Sequence, residues 1–152
     1  MIMEQSRNQQ RGFTLLELMI VVVIVAIISA VAYPSYMQYV VRTKRTAATS
    51  VLLQVADRQQ QFFMDNKSYT ADLTNLGFAA NPLVVGDDGR TLPSGDAQSV
   101  YTFAMSNVGV TTYTITATPL NAQLTRDTDC GALTLDQSLA KGAGGSVEDC
   151  WK

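Results

Sequence analysis

The sequence contains no histidine, two cysteines and one tryptophan among its 152 residues, and charged residues make up only 16% of it. A chain without histidine lacks the commonest general base and the commonest metal ligand of proteins. Two cysteines are too few to complete a zinc site. Eleven Lys and Arg against thirteen Asp and Glu give a net charge of −2. The composition therefore disfavours an enzyme, a cofactor or metal site, and DNA binding through clustered positive charge.

The sequence does have one long apolar run near its N-terminus. Residues 18–41 contain no charge over 24 positions, and a helix of that length reaches about 36 Å, enough to cross the hydrocarbon core of a bilayer. Arg7 and Arg11 precede the run. Positive charge at that position predicts that the first residues stay in the cytoplasm and that the rest of the chain is translocated.

A secretory signal peptide is the alternative interpretation of this run. Ala30-Val31-Ala32 has the small-x-small pattern of a cleavage site, and a cut there would leave a soluble domain from Tyr33. Glu17 argues against it, because a carboxylate at the centre of a span costs on the order of 3 kcal/mol and is unfavourable near its end without a partner. Such a residue is a candidate for function.

The segment Arg11-Gly12-Phe13-Thr14-Leu15-Leu16-Glu17, followed by the apolar run, resembles the class III leader and N-terminal helix of type IV pilins. The resemblance implies that a prepilin peptidase removes residues 1–12 by cutting after Gly12, and that the same enzyme methylates the new N-terminus at Phe13. It also implies that residues 13–41 first span the lipid bilayer and later form the helical core of a filament.

The same resemblance assigns a role and partners to the N-terminal segment. It implies that Glu17 pairs with the N-terminal amine of a neighbouring subunit during assembly. It also implies that the partners are the prepilin peptidase, other major and minor pilins, and the assembly platform of the inner membrane. We therefore expect the protein in the inner membrane of a Gram-negative bacterium before assembly, with its C-terminus in the periplasm, and in a cell-surface pilus afterwards.

An amphipathic helix continues beyond the apolar run. We predict one helix from Phe13 to about residue 64, with Pro34 as the site of a kink because proline removes a backbone donor. Its second half would pack on a globular domain of residues 42–152. The apolar residues that recur at helical spacing are Tyr36, Val40, Ala47, Val51, Val55 and Phe62. Off this stripe lie the cations Arg42, Lys44 and Arg45, which would face lipid headgroups, acidic patches on neighbouring subunits or simply solvent.

Residues 65–99 are rich in turn-forming residues and predict a connecting loop, which holds one short helix capped by Thr70 and ended by Gly77. Alternating residues at 101–106 and 112–118 predict a hairpin, and residues 131–136 predict a third strand. The sheet and the C-terminal region then occupy residues 100–152. An antiparallel sheet that covers the second half of the helix gives an α+β fold, the fold of type IV pilins.

Cys130 and Cys150 enclose 19 residues in the translocated part of the chain. In an oxidising compartment we expect a disulfide rather than a metal site, worth about 3 kcal/mol for a loop of this size. Cys130-Gly131 before a strand and Cys150-Trp151 near the end resemble the disulfide-bounded region of type IV pilins, and gammaproteobacterial minor pilins in particular.

The predicted function is therefore a structural subunit, a minor pilin that supports pilus assembly and so twitching motility, adhesion or DNA uptake. A major pilin, a type II secretion pseudopilin and a DNA receptor pilin for natural transformation remain alternatives. The charge near the disulfide disfavours DNA binding, because three cations face five anions there. The cations are Arg126, Lys141 and Lys152, and the anions are Asp127, Asp129, Asp136, Glu148 and Asp149.

Overall fold

A computed structural model describes residues 13–152 of the chain. The predicted leader, residues 1–12 with Gly12, lies outside the described residues. The chain divides into two compact units, and the boundary falls between Gln38 and Tyr39. We call the second unit, Tyr39–Lys152, the head.

The helix α1 extends over Leu15–Asn66. The helix was predicted to begin at Phe13 but begins two residues later, because Thr14 caps it. The Thr14 Oγ1 accepts a hydrogen bond of 3.2 Å from the backbone N–H of Glu17. Side chains from 13 to 36 are all exposed, and the most apolar stretch has a mean hydropathy of 3.0 with none of it buried. Pro34 lies inside α1, and the kink there stays a prediction.

The face of α1 that is buried in the head differs from the predicted stripe. Of the predicted residues only Val55 belongs to it, while Ala47 and Val51 flank it and are half-buried. Successive residues of a helix are about 100° apart around its axis, and several apolar residues of α1 are adjacent in sequence. The sequence pattern is therefore compatible with more than one buried face, and the position of the sheet decides which one is buried. The buried residues of α1 are Arg45, Ala48, Leu52, Val55, Ala56 and Gln59.

The head contains a five-stranded antiparallel sheet in which each strand pairs with the next along the chain. Phe103 pairs with Ala117 and Ile115 with Leu135, and all four side chains are fully buried in one core with Leu52 of α1. The predicted α+β fold, with a long helix packed on an antiparallel sheet, is confirmed. The strands are β1 (Leu83–Val85), β2 (Tyr101–Ser106), β3 (Thr114–Pro119), β4 (Leu133–Asp136) and β5 (Lys141–Ala143).

Two strands, β1 and β5, lie where no strand was predicted. β1 falls inside the predicted loop of residues 65–99, and β5 in the glycine-rich segment after residue 140. Each has three residues, too few for an alternating pattern to be recognised, and each depends on its pairing with β2 or β4. The head also contains two short α-helices, α2 (Asn121–Arg126) and α3 (Val147–Cys150).

The short helix of the connecting segment is a 3-10 helix over Leu73–Leu76. Its cap is Asp72 and not the predicted Thr70, because the Asp72 Oδ1 accepts a 2.9 Å hydrogen bond from the N–H of Thr74. The predicted stop is confirmed, since Gly77 follows with φ of 79°, a left-handed conformation that glycine adopts without strain.

Candidate functional site

The predicted assembly residues lie at the N-terminal end of α1. Phe13 is 85% exposed, and Glu17 is exposed in the first turn of the helix. A carboxylate there is favourably placed for the helix dipole, and it is free to meet a group from another molecule. Gly12, the predicted cleavage residue, is outside the described residues, so cleavage, methylation and the role of Glu17 stay predictions.

A buried ion pair joins α1 to the residue that follows α2. Arg45 Nη2 lies 2.6 Å from Asp127 Oδ1, and Arg45 Nε donates to Asp127 Oδ2 at 3.1 Å. The prediction that Arg45 belongs to an exposed basic cluster is wrong, because only 7% of this residue is exposed. Its partner is 82 residues away in sequence, so helical spacing alone could not identify the pair. The predicted apolar stripe also excludes Arg45, so the pattern contained no sign that this side chain is buried.

Two further side chains complete this network. The Tyr101 hydroxyl donates to Asp127 Oδ2 at 3.2 Å, and Gln123 Nε2 donates to the same oxygen at 3.0 Å. Arg45 Nη1 also donates to the backbone carbonyl of Asp149 at 3.4 Å. Burial raises the pKa of Tyr101 well above its ordinary value of 10.0, so the phenol stays protonated and keeps donating. The network connects α1, β2, α2 and α3.

The predicted disulfide is confirmed. Cys130 and Cys150 are bonded, with their Cα atoms 5.6 Å apart, and both are buried. Trp151 Nε1 donates to the Gly142 carbonyl at 3.0 Å, and the ammonium of Lys141 lies 5.2 Å from the centre of the Trp151 ring. The disulfide and the tryptophan therefore hold the C-terminus against β5 and present Lys141 at the surface.

The charges near the disulfide are less unfavourable to an anion than their count suggests. Asp127 is buried and neutralised by Arg45, and Lys152 pairs with Asp149 at 2.8 Å, which lowers the pKa of that carboxyl. Among the described residues, the salt bridges of this region leave the cations Arg126 and Lys141 and the anions Asp129, Asp136 and Glu148 without an oppositely charged partner. Hydrogen bonds, chiefly from Ser138, lower the pKa of Asp136 as well.

Within residues 13–152, four further cations of the head form no salt bridge. In residues 13–152 the salt bridges involve Arg45, Arg90 and Lys152, and they leave Arg42, Lys44, Arg58, Lys67, Arg126 and Lys141. Arg58 lines a cleft of about 450 Å³ together with Gln61, Asp65 and Asn75. Its Nη1 donates to the Leu76 carbonyl at 2.9 Å, and its guanidinium stacks 4.4 Å over the Phe78 ring.

Within the described residues, no group of three or more His, Cys, Asp or Glu side chains is arranged to hold a metal ion. Besides exposed carboxylates such as Asp65, the surface of the head offers exposed cations, amide side chains and the partly exposed ring of Trp151, which are groups that can contact an anionic polymer.

Comparison with known families gives two matches along the sequence. Residues 34–134 match the family described as type IV minor pilin ComP, DNA uptake sequence receptor. Residues 7–33 match the prokaryotic N-terminal methylation motif. Among solved structures, a type IV pilin from Shewanella oneidensis aligns with a TM-score of 0.48 and 18% identity, covering 70% of this chain and 96% of that chain. No curated protein matches the chain.

Proposed function

We propose that this chain, which belongs to the family of the type IV minor pilin ComP, a DNA uptake sequence receptor, binds DNA at the surface of a type IV pilus. The observation that carries the proposal is the family match over residues 34–134, which spans most of the head. The prediction of a minor pilin is confirmed by it. The receptor role, which the charge count disfavoured, is now the one we favour.

The N-terminal segment would place the head on the filament. The methylation motif at residues 7–33 supports cleavage after Gly12 and methylation of Phe13 by a prepilin peptidase. Residues 13–41 would then anchor the protein in the inner membrane of a Gram-negative cell until it joins other pilins on the assembly platform, with Glu17 pairing with a neighbour's amine. The role of the protein would be binding and structural, without enzymatic activity.

The end of β5 offers one surface for DNA. Lys141 is exposed and forms no salt bridge with any described residue, so it is available to a phosphate. Trp151 beside it is partly exposed and fixed through its Nε1. A fixed aromatic ring can stack with a base or pack against a sugar, and a lysine can neutralise the adjoining phosphate.

The cleft beside α1 offers a second surface, with side chains suited to reading sequence. Arg58, Gln61 and Asn75 line it together with the carboxylate of Asp65. Arg58 Nη1 already donates to the Leu76 carbonyl, so a bidentate contact would use its Nη2 and Nε. Arginine, glutamine and asparagine are the side chains that make bidentate contacts with guanine and adenine in the major groove. Phosphate contacts from the exposed cations of the head would position the duplex, while this cleft would distinguish one sequence from another.

The experiment is a binding titration with the head, residues 39–152, and fluorescent DNA at several salt concentrations. The probes are fragments of the source genome and unrelated fragments of the same length and base composition. We expect Lys141→Ala to weaken binding to both probes and to reduce the slope of log K against log salt by about one. Arg58→Gln should instead reduce the preference for genomic fragments. Each lost bidentate contact is worth about 1–3 kcal/mol of discrimination.

The matched control is Arg90→Ala, because it removes the same charge from an exposed arginine that Asp88 already neutralises at 3.1 Å. This variant should bind as the unchanged head does. Equal losses in Lys141→Ala and Arg90→Ala would show that only net charge matters. A head that binds neither probe at low salt would contradict the receptor role itself.

A further inference from the structure

The outer face of the sheet, on the side away from the core, carries a set of hydroxyl groups. Successive side chains of a strand point to opposite faces, so the residues between the buried ones lie on this outer face. The pairing of β3 with β2 and with β4 brings these residues opposite one another across the three strands. We call them the threonine face: Thr102, Ser106, Thr114, Thr116, Thr118 and Thr134.

The threonine hydroxyls of this face form no hydrogen bond with any residue that the structure describes. On α1, by contrast, Thr43 and Thr46 donate to carbonyls of their own helix. The threonines of the face are exposed or half-buried, so each hydroxyl offers a donor and an acceptor to a molecule outside the head. Branching at Cβ restricts the rotamers of threonine, and the hydroxyls are therefore largely fixed before any ligand binds.

Small residues keep the threonine face open. Gly142 of β5 lies opposite Thr134, and a Cβ at this glycine would collide with Thr134 Oγ1. Ala104 lies opposite Thr116 on the other side of β3. Threonine is a residue that strands favour in any case, but glycine weakens a strand. The glycine therefore indicates that uncovered space beside Thr134 is required.

One end of the threonine face borders a cleft of about 220 Å³. Thr102 lines this cleft together with Ser94, Asp96 and Ser99. Ser99 also lines a second cleft, of about 230 Å³, which includes Lys44. Only 3% of Ser99 is exposed, and its Oγ has no hydrogen-bond partner among the described residues. A buried hydroxyl without a partner is unfavourable, and a ligand hydroxyl that reached it from the first cleft would remove that cost.

We propose that the threonine face and the cleft beside Thr102 bind a neutral polysaccharide. Among the described residues that form the face and line this cleft, Asp96 and Asp136 are acidic and none is basic, so the phosphates of DNA or of lipid would be repelled. An apolar protein surface would leave the threonine hydroxyls buried without partners. A chain of sugar rings instead presents hydroxyl donors and acceptors along its length, and it carries no charge.

This inference goes beyond DNA binding and does not depend on it. Arg58 and Lys141, to which we assign contacts with DNA, lie outside the threonine face and the cleft beside Thr102. A pilus that carries this chain would then hold a polysaccharide surface through one part of the head and DNA through another. Because the two ligands are measured separately, either proposal can fail while the other stands.

The test is retention of the full chain, purified in detergent, on insoluble polysaccharides. The probes are cellulose, chitin and starch, which are neutral, and cross-linked pectate, which is acidic. We expect retention on at least one neutral polymer, elution by soluble fragments of that polymer, and no retention on pectate. If none of the neutral polymers retains the chain, or if pectate retains it equally well, the inference is wrong.

A double variant separates the hydroxyls from the shape of the face. Thr116→Val with Thr134→Val removes two hydroxyls, while valine keeps the branched shape that suits a strand. The variant should melt at an unchanged temperature and bind DNA normally, but its retention should fall several-fold. The matched control is Thr111→Val with Thr125→Val, at exposed threonines outside the face. Equal retention of the two double variants would refute the threonine face.

Ser99→Ala tests the cleft. Because the variant removes a buried hydroxyl that lacks a partner, the chain should melt at an equal or higher temperature. Its retention on the neutral polymer should nevertheless fall several-fold, since the ligand loses a hydrogen bond. A purely structural serine would change the melting temperature alone, so unchanged retention would overturn the assignment of the cleft to the binding site.

Discussion

The two parts of α1 carry similar apolar residues in opposite surroundings. Leu52, in the head, is fully buried, whereas Ile24, in the first unit, is 50% exposed. The head therefore covers its own apolar surface with its sheet, and we expect lipid or other subunits to cover the N-terminal segment. A change in the head should alter its melting temperature, while a change in the N-terminal segment should alter location and assembly.

The largest expected effect on the head comes from its buried ion pair. Arg45→Ala leaves the carboxylate of Asp127, which is 2% exposed, without its countercharge. Removing one partner of a buried pair costs roughly 3–5 kcal/mol. We expect thermal unfolding of residues 39–152 to show a loss of this size. A negligible loss would mean that the rest of the network holds Asp127 without the arginine.

Two controls define this prediction. Arg90→Ala removes an arginine whose side chain is 85% exposed, and exposed pairs contribute about 0–1 kcal/mol. The double variant Arg45→Met with Asp127→Leu should be less destabilised than Arg45→Ala, because it leaves no buried charge unpaired. If the double variant is less stable than Arg45→Ala, the hydrogen bonds from Tyr101 and Gln123 to Asp127 contribute more to the free energy of unfolding than the ion pair does.

The second effect comes from the disulfide. Replacing Cys130 and Cys150 with serine should lower the free energy of unfolding by about 3 kcal/mol, since the cross-link restricts the unfolded chain. The residues between them include few that are buried, and packing alone offsets little of their ordering entropy. Calorimetry of the head with and without a reductant makes the same comparison, and equal melting temperatures would contradict it.

The sequence predicted the elements of the fold that have a strong local pattern. The long helix, the β2–β3 hairpin, the Gly77 stop and the disulfide all depend on spacing or on residue chemistry that is visible in a short window. β1 and β5 could not be predicted, because short strands form only when a longer neighbour supplies hydrogen bonds. The centre of the buried face of α1 was likewise set by the sheet and not by the helix.

The site was harder to predict than the fold, because its charges are paired over long distances in sequence. The charge count included Asp127 among the anions that would repel DNA. Asp127 is in fact buried and neutralised by Arg45, so the C-terminal region repels DNA less than the count implied. Membership in a DNA receptor family is a property of residues 34–134 as a whole. The sequence contains no cluster of cations near the disulfide from which DNA binding could be predicted.

The smallest expected effect on the head comes from a change at Glu17. This residue lies in the N-terminal segment, so the change tests the expectation that this segment governs assembly and not the stability of the head. Glu17→Val should leave the melting of the head unchanged, because the residue lies outside that unit. It should also leave membrane insertion intact, since removing a carboxylate lowers the cost of transfer into lipid. Incorporation into pili should nevertheless fall sharply. An amine and a carboxylate are each costly in an apolar filament core and less so together.

Ser29→Val is the matched control for this prediction, because it also replaces a polar residue of the apolar run with valine but removes no charge. Both variants would be expressed as full chains, and their ratio to other pilins would be measured in sheared filaments. The pairing role requires that Ser29→Val is present at normal levels and that Glu17→Val is depleted. Equal levels would mean that apolar contacts alone bring subunits into register, and that the exposed N-terminal helix needs cover but no charged partner.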